Sequence, residues 1–296
     1  TPQRFINILG KISDADGLSS FTYSFGGAPP LALSVGPDIA RLANEGDFNV
    51  EIPYQSLPAG VTQVTLRAAD GLGNETVEFV EVDYIDDMVP PETYSIDWST
   101  VSDVSEAAQI VDGKWSLETD GVRVVEPGYD RLIAIGDLSW MDYEATVEFT
   151  LNGPADPDLA PIVGLAMRWT GHFVWDASQP RRGWHPLGAL LAYTWLDDPP
   201  YTGLTRWGSN GSNRTGSGLT PEPGVGVSHI LKMRGETLPG GDVQYSMKMW
   251  PVGQAEPAAW GITYVTSTPP AAGSLLLVVH NLDVTFGDVD VVPVGN

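Results

Sequence analysis

The chain contains no cysteine in 296 residues, which excludes disulfides, thiolate metal sites and cysteine nucleophiles. Cations are scarce: 15 Lys and Arg stand against 38 Asp and Glu, a net charge of −23. A chain this acidic has no general attraction for nucleic acid or anionic lipid, so no nucleic-acid partner is expected. Long apolar runs are lacking too. The longest near the end, Leu275–Val279, falls far short of the ~20 residues that span a bilayer, so membrane insertion is not expected. Tryptophan is absent from residues 1–95, and all ten lie beyond. Helical periodicity is nearly missing; "GPDIARLANEGD", with Asp38 as a helix N-cap, reads as a short turn.

What is present is alternation. "FNVEIPY", "TQVTLRAAD", "ETVEFVEVDY", "YEATVEFTL", "HILKMRG", "VQYSMKMW" and "VTFGDVDVV" repeat with period two between turn residues, the pattern of half-buried strands. With 33 Gly and 24 Pro as punctuation, the expectation is an all-β protein of sandwiches. The length favours two domains. The tryptophan boundary coincides with "YIDDMVPPETY", whose paired prolines stop strand and helix alike. Boundaries are therefore set at 1–90 and 91–296. The start at Thr1 in place of Met is taken as processed or trimmed, and the expected location is outside a bacterial cell, secreted or on its surface.

The "SDADG" turn, the "LPAGVTQVTLRAAD" strand and the "DGLGNETVEFVEV" hairpin resemble a bacterial immunoglobulin-like or cadherin-like module, which implies a spacer. In the second part, "WMDYEATVEF", "GLAMRW" and the closing Val284, Phe286, Asp288, Val289 and Val291 resemble a concanavalin A-like, laminin-G-like jelly roll. That resemblance implies a fold and little about activity, since the fold hosts lectins, hydrolases, lyases and adhesive repeats.

Three constellations carry chemistry. Asp14 and Asp16 before Gly17, with Asp86 and Asp87 in the linker, offer hard oxygen ligands, and calcium is the cofactor they would take; a solvated turn is the plainer account. In "DYEATVEF", Asp142, Glu144, Thr146 and Glu148 share one strand face. This is close to a glycosidase carboxylate ladder, but with Thr146 where the central acid belongs; an acidic solvent face is the plainer account. The segment Arg168–Trp195 gathers four tryptophans and two histidines. Indoles stack on sugar rings, and guanidinium and imidazole groups supply directed hydrogen bonds. His172, Trp175, Arg181, Arg182, Trp184, His185 and Trp207 are the candidate ligand contacts. Trp169 and Trp195 read as core.

The expectation is recognition of a polysaccharide or surface glycan without catalysis. One alternative is a self-associating subunit of an extracellular filament, surface layer or adhesin, with the aromatic loop as a protein contact. Another is a polysaccharide lyase or glycoside hydrolase, with Arg182, His172, His185 and Tyr193 as the lyase residue types.

Overall fold

Alternating sequence becomes strand nearly everywhere it occurs in the computed structural model. The structure describes every residue except 39, 86–91, 173–178, 182–188, 197–201, 208–213, 217–219 and 295–296, and of 214–216 it describes the backbone. In chain order the strands are β1 (Phe5–Lys11), β2 (Leu18–Phe25), β3 (Leu31–Ala32), β4 (Asp47–Pro53), β5 (Gly60–Asp70), β6 (Glu75–Tyr84), β7 (Tyr94–Ile96), β8 (Gln109–Asp112), β9 (Trp115–Glu118), β10 (Gly121–Val124) and β11 (Arg131–Ile135). They continue as β12 (Tyr143–Leu151), β13 (Ile162–Trp169), β14 (Ala189–Thr194), β15 (Gly203–Trp207), β16 (Arg214–Gly216), β17 (Ser228–Thr237), β18 (Val243–Pro251), β19 (Ile262–Thr266), β20 (Ser274–His280) and β21 (Val284–Pro293). Among the described residues there is no α-helix, only short 3-10 turns. Asp38 caps a turn as expected, its Oδ1 accepting from the amides of Ala40 at 2.8 Å and Leu42 at 2.9 Å.

The chain divides into two compact units. Residues 3–89 and 171–184 make the first; residues 90–170 and 185–296 make the second. The division at 89/90 lies beside the expected boundary at 90/91, while the described residues 171, 172 and 179–181, read as jelly roll, group with the first unit.

In the first unit, β1 pairs with β4, and a separate sheet runs β3-β2-β5-β6. Ile6, Val50 and Ile52 from the small sheet meet Phe21, Tyr23, Val64 and Leu66 from the larger one in a single core. Phe21 and Phe48 pack edge to face at 4.9 Å. The β5–β6 hairpin closes on Asp70, which accepts from the amides of Leu72 and Asn74, both at 2.8 Å, and from Asn74 Nδ2 at 2.6 Å.

The second unit is a jelly-roll sandwich of two large antiparallel sheets. One runs β19-β18-β17-β12-β21-β10-β9 with β7 added against β21; the other runs β16-β15-β14-β13-β20-β11-β8. Strand β12 shows how the sequence specifies this. Tyr143, Ala145, Val147, Phe149 and Leu151 are buried, and the residues between them are half-buried. A one-residue slip would turn that whole apolar set outward, so the pattern fixes the register. Strand β20 holds the "LLLVV" run, sealed along Leu275–Val279 between β11 and β13. A continuous apolar run therefore marks a central strand here. No helix among the described residues is long and apolar enough to cross a membrane.

Candidate functional site

The segment expected to face a ligand turns inward where it is described. His172 is 1% exposed, and its backbone carbonyl accepts from Arg4 at 3.1 Å. Burial, reinforced by Arg41, Arg181 and Arg4, holds its imidazole well below the usual range. Arg181 is taken up by Glu51, a β4 carboxylate with no exposed side-chain surface. Glu51 accepts from Arg181 Nη1 at 3.1 Å, from the Arg181 amide at 2.7 Å and from Arg41 Nη1 at 2.6 Å. The Arg181 guanidinium also lies 4.0 Å from the centre of the Phe5 ring. A buried carboxylate needs such partners, and that need accounts for the position of Arg181. Trp175, Arg182, Trp184 and His185 lie outside the described residues. Trp207 ends β15 half-buried, its indole donating to Thr205 Oγ1 at 3.2 Å.

Asp14 and Asp16 lie beside Asp70, a residue that the sequence reading did not name. Carboxylate oxygens of the three lie within 4.8 Å of one another. Asp14 also accepts from the Asp16 amide at 2.8 Å, the local turn bond that a DxDG sequence favours. Donation from the Asn74 side chain holds the Asp70 carboxyl below its usual range. Asp86 and Asp87 lie outside the described residues.

The acidic strand face is a charge ladder. Glu144 sits opposite Arg234 and meets it at 2.8 Å, with Lys232 at 3.2 Å. Asp142 is held by Arg168 at 2.7 Å and by Thr237. These carboxylates are committed to neighbouring cations, which accounts for them without a glycosidase dyad. Tyr193, a lyase-base type, is 2% exposed and pushed up to about 12 by burial, away from a general base working near neutral pH.

The arrangement with most binding character lies at one end of the jelly roll and went unread in the sequence. Asp130, Ala160 and Asn281 have φ of 41°, 50° and 52°, a region that residues with a side chain seldom adopt. The three are on different loops, and hydrogen bonds interlock those loops. The Asn281 amide donates to Gly128 O at 2.8 Å, and Asn281 Nδ2 donates to Leu159 O at 2.7 Å. Asp130 Oδ1 meets His280 Nδ1 at 2.9 Å. The Asp130 amide also lies 3.3 Å from the same nitrogen. One nitrogen cannot donate and accept in a single tautomer; the shorter contact makes Nδ1–H the donor to the carboxylate and leaves Nε2 as the ring's other polar atom. The Tyr129 ring, 42% exposed, stands edge-on to His280 at 4.7 Å. Underneath, buried Arg131 donates to Glu126 O and Tyr129 O, both at 2.8 Å, and holds this loop. The only sequence signal was one of residue type, since Asp130 and His280 are 150 positions apart.

No sequence-family model and no curated protein matches the chain. Among solved structures, the chain is similar in fold to the metal-free Emp46p carbohydrate recognition domain, at 12% identity and TM-score 0.44, covering 68% of this chain and 96% of that one. A Ca2+-bound VIP36 exoplasmic/lumenal domain matches at 12% identity and TM-score 0.46, covering 70% and 93%. A Bacillus subtilis protein of unknown function with a galectin-like fold matches at 11% identity and TM-score 0.36, covering 67% and 94%.

Proposed function

We propose that the second unit is a carbohydrate-recognition domain and that the loop end around Tyr129 and His280 is where a glycan docks. The observation carrying this reading is the convergence of three left-handed residues, each costing about 1–3 kcal/mol, around an exposed aromatic ring and a carboxylate-oriented imidazole. Such cost persists where the surroundings over-determine the geometry, as binding loops require. Tyr129 supplies an apolar face for sugar C–H groups; His280 and Asn281 supply directed polar atoms. Under this reading the first unit is an immunoglobulin-like spacer on a secreted or surface-displayed protein. Calcium at Asp14, Asp16 and Asp70 belongs to the same proposal, as the ion suited to three clustered carboxylates.

The test is a glycan array probed with the wild-type chain and with Tyr129→Ala and His280→Ala, both checked for an unchanged melting temperature. Binding of a glycan class by wild type, lost in both variants, is expected. Equal binding by all three removes this site from consideration.

A further inference from the structure

The first unit carries a cleft that glycan recognition does not use. Its sheets are unequal, two strands facing four. At about 4.8 Å per strand a pair cannot roof four strands, so part of the larger sheet's inner face stays open. Along β6, Val80, Val82 and Tyr84 pack on the core, whereas Thr76 and Glu78 on the same face are exposed. Here lies a cleft of about 250 Å³ with Phe21, Phe48 and Leu66 in its wall and Lys11, Asp14, Asp70 and Glu78 among its polar lining.

The small sheet's two edges differ. Two outward-facing carbonyls of β4 are occupied: Asp47 O accepts from the Gly36 amide at 2.8 Å and Glu51 O from Gln179 Nε2 at 3.1 Å. No described strand besides β4 pairs with β1. The bonds Tyr54 N to Arg4 O, 3.1 Å, and Ile12 N to Gly46 O, 2.9 Å, set the phase of pairing. Even-numbered residues of β1 face β4, so the backbone groups of Leu9 and Lys11 point to the other edge.

We propose that this β1 edge accepts an extended segment of another polypeptide, which adds as a strand and completes the sandwich. One apolar side chain of the guest enters the cleft, and lysine or arginine two positions away along the same face meets Glu78 and, in the calcium-free chain, Asp14 and Asp70. Backbone pairing supplies affinity and the alternate side chains supply specificity. Three carboxylates against the single Lys11 ammonium select a basic guest. A second copy of this chain, at net −23, is a poor occupant.

The test uses the full chain in calcium-free buffer containing EDTA and a fluorescein-labelled short peptide in which threonine alternates with lysine, leucine and lysine, read by fluorescence anisotropy. Saturable binding is expected, weakened at least about tenfold when the threonine amides are N-methylated and about three- to tenfold by Asp14→Asn with Glu78→Gln. Both side chains are exposed, so the double variant keeps its fold. The proposal is overturned if there is no saturable binding up to about 1 mM, if the N-methylated peptide or one with glutamate for lysine binds equally well, or if the double variant binds unchanged. Sedimentation showing that the chain dimerises through this face and thereby excludes the peptide also overturns it.

Discussion

Replacing Glu51 with alanine tests the most consequential contact set in the first unit. The Glu51 and Arg41 side chains are 0% and 2% exposed and 2.6 Å apart; Arg181, 20% exposed, is 3.1 Å from the same carboxylate. The substitution leaves two guanidinium groups without their anion, near Arg4 and His172. Removing one partner from a buried ion pair costs about 3–5 kcal/mol. Arg181→Met is milder, about 1–3 kcal/mol, since Arg41 and the Arg181 main-chain amide both remain on Glu51. With a urea slope of about 2 kcal/mol/M for a unit of this size, Glu51→Ala lowers the midpoint by roughly 1.5–2.5 M. Hydrogen exchange read on β4 locates the loss, and 0.5 M NaCl leaves it nearly unchanged because buried pairs are weakly screened. A cost below about 1 kcal/mol, or one abolished by salt, would refute a buried and paired Glu51.

The remaining expectations concern four other places. His172 has its folded pKa lowered, mainly by burial, so the unfolded chain binds the extra proton first. Stability is then full above about 6.5 and falls by up to about 1.4 kcal/mol per pH unit below it; urea titrations should show that slope in wild type and lose it in His172→Gln. Gly136→Ala forces a Cβ to within 2.3 Å of the Trp140 ring at a φ of 93°, and calorimetry should record a loss of about 2–4 kcal/mol. Glu144→Gln removes the charge of a side chain only 14% exposed between Lys232 and Arg234 and should cost about 1–3 kcal/mol; no loss in denaturant titration contradicts that placement. Calcium binding at Asp14, Asp16 and Asp70 predicts a calorimetric heat that disappears in Asp70→Asn.

Local pattern made much of the fold legible. Period-two alternation identified strands such as β12 and β21, and the burial of each follows the apolar set. Trp169 and Trp195, read as core, are 0% and 4% exposed. These features depend on residues a few positions apart, where side-chain direction follows directly from strand geometry. The candidate sites were less legible because their members come from distant loops. Asp70 joins Asp14 and Asp16 through the β5–β6 turn, and Asp130 meets His280 only because β11 pairs with β20.

The sequence alone determined the strand content, the exclusion of thiol chemistry, the electrostatic character and the buried face of the alternating strands, since each depends on composition or on neighbours along the chain. Tertiary structure decided which cations serve the interior. Composition near residue 180 is equally suited to a sugar groove and to a buried ion cluster. The choice fell to Glu51, a carboxylate 130 residues earlier whose burial leaves no water to solvate it and therefore draws Arg41 and Arg181 inward.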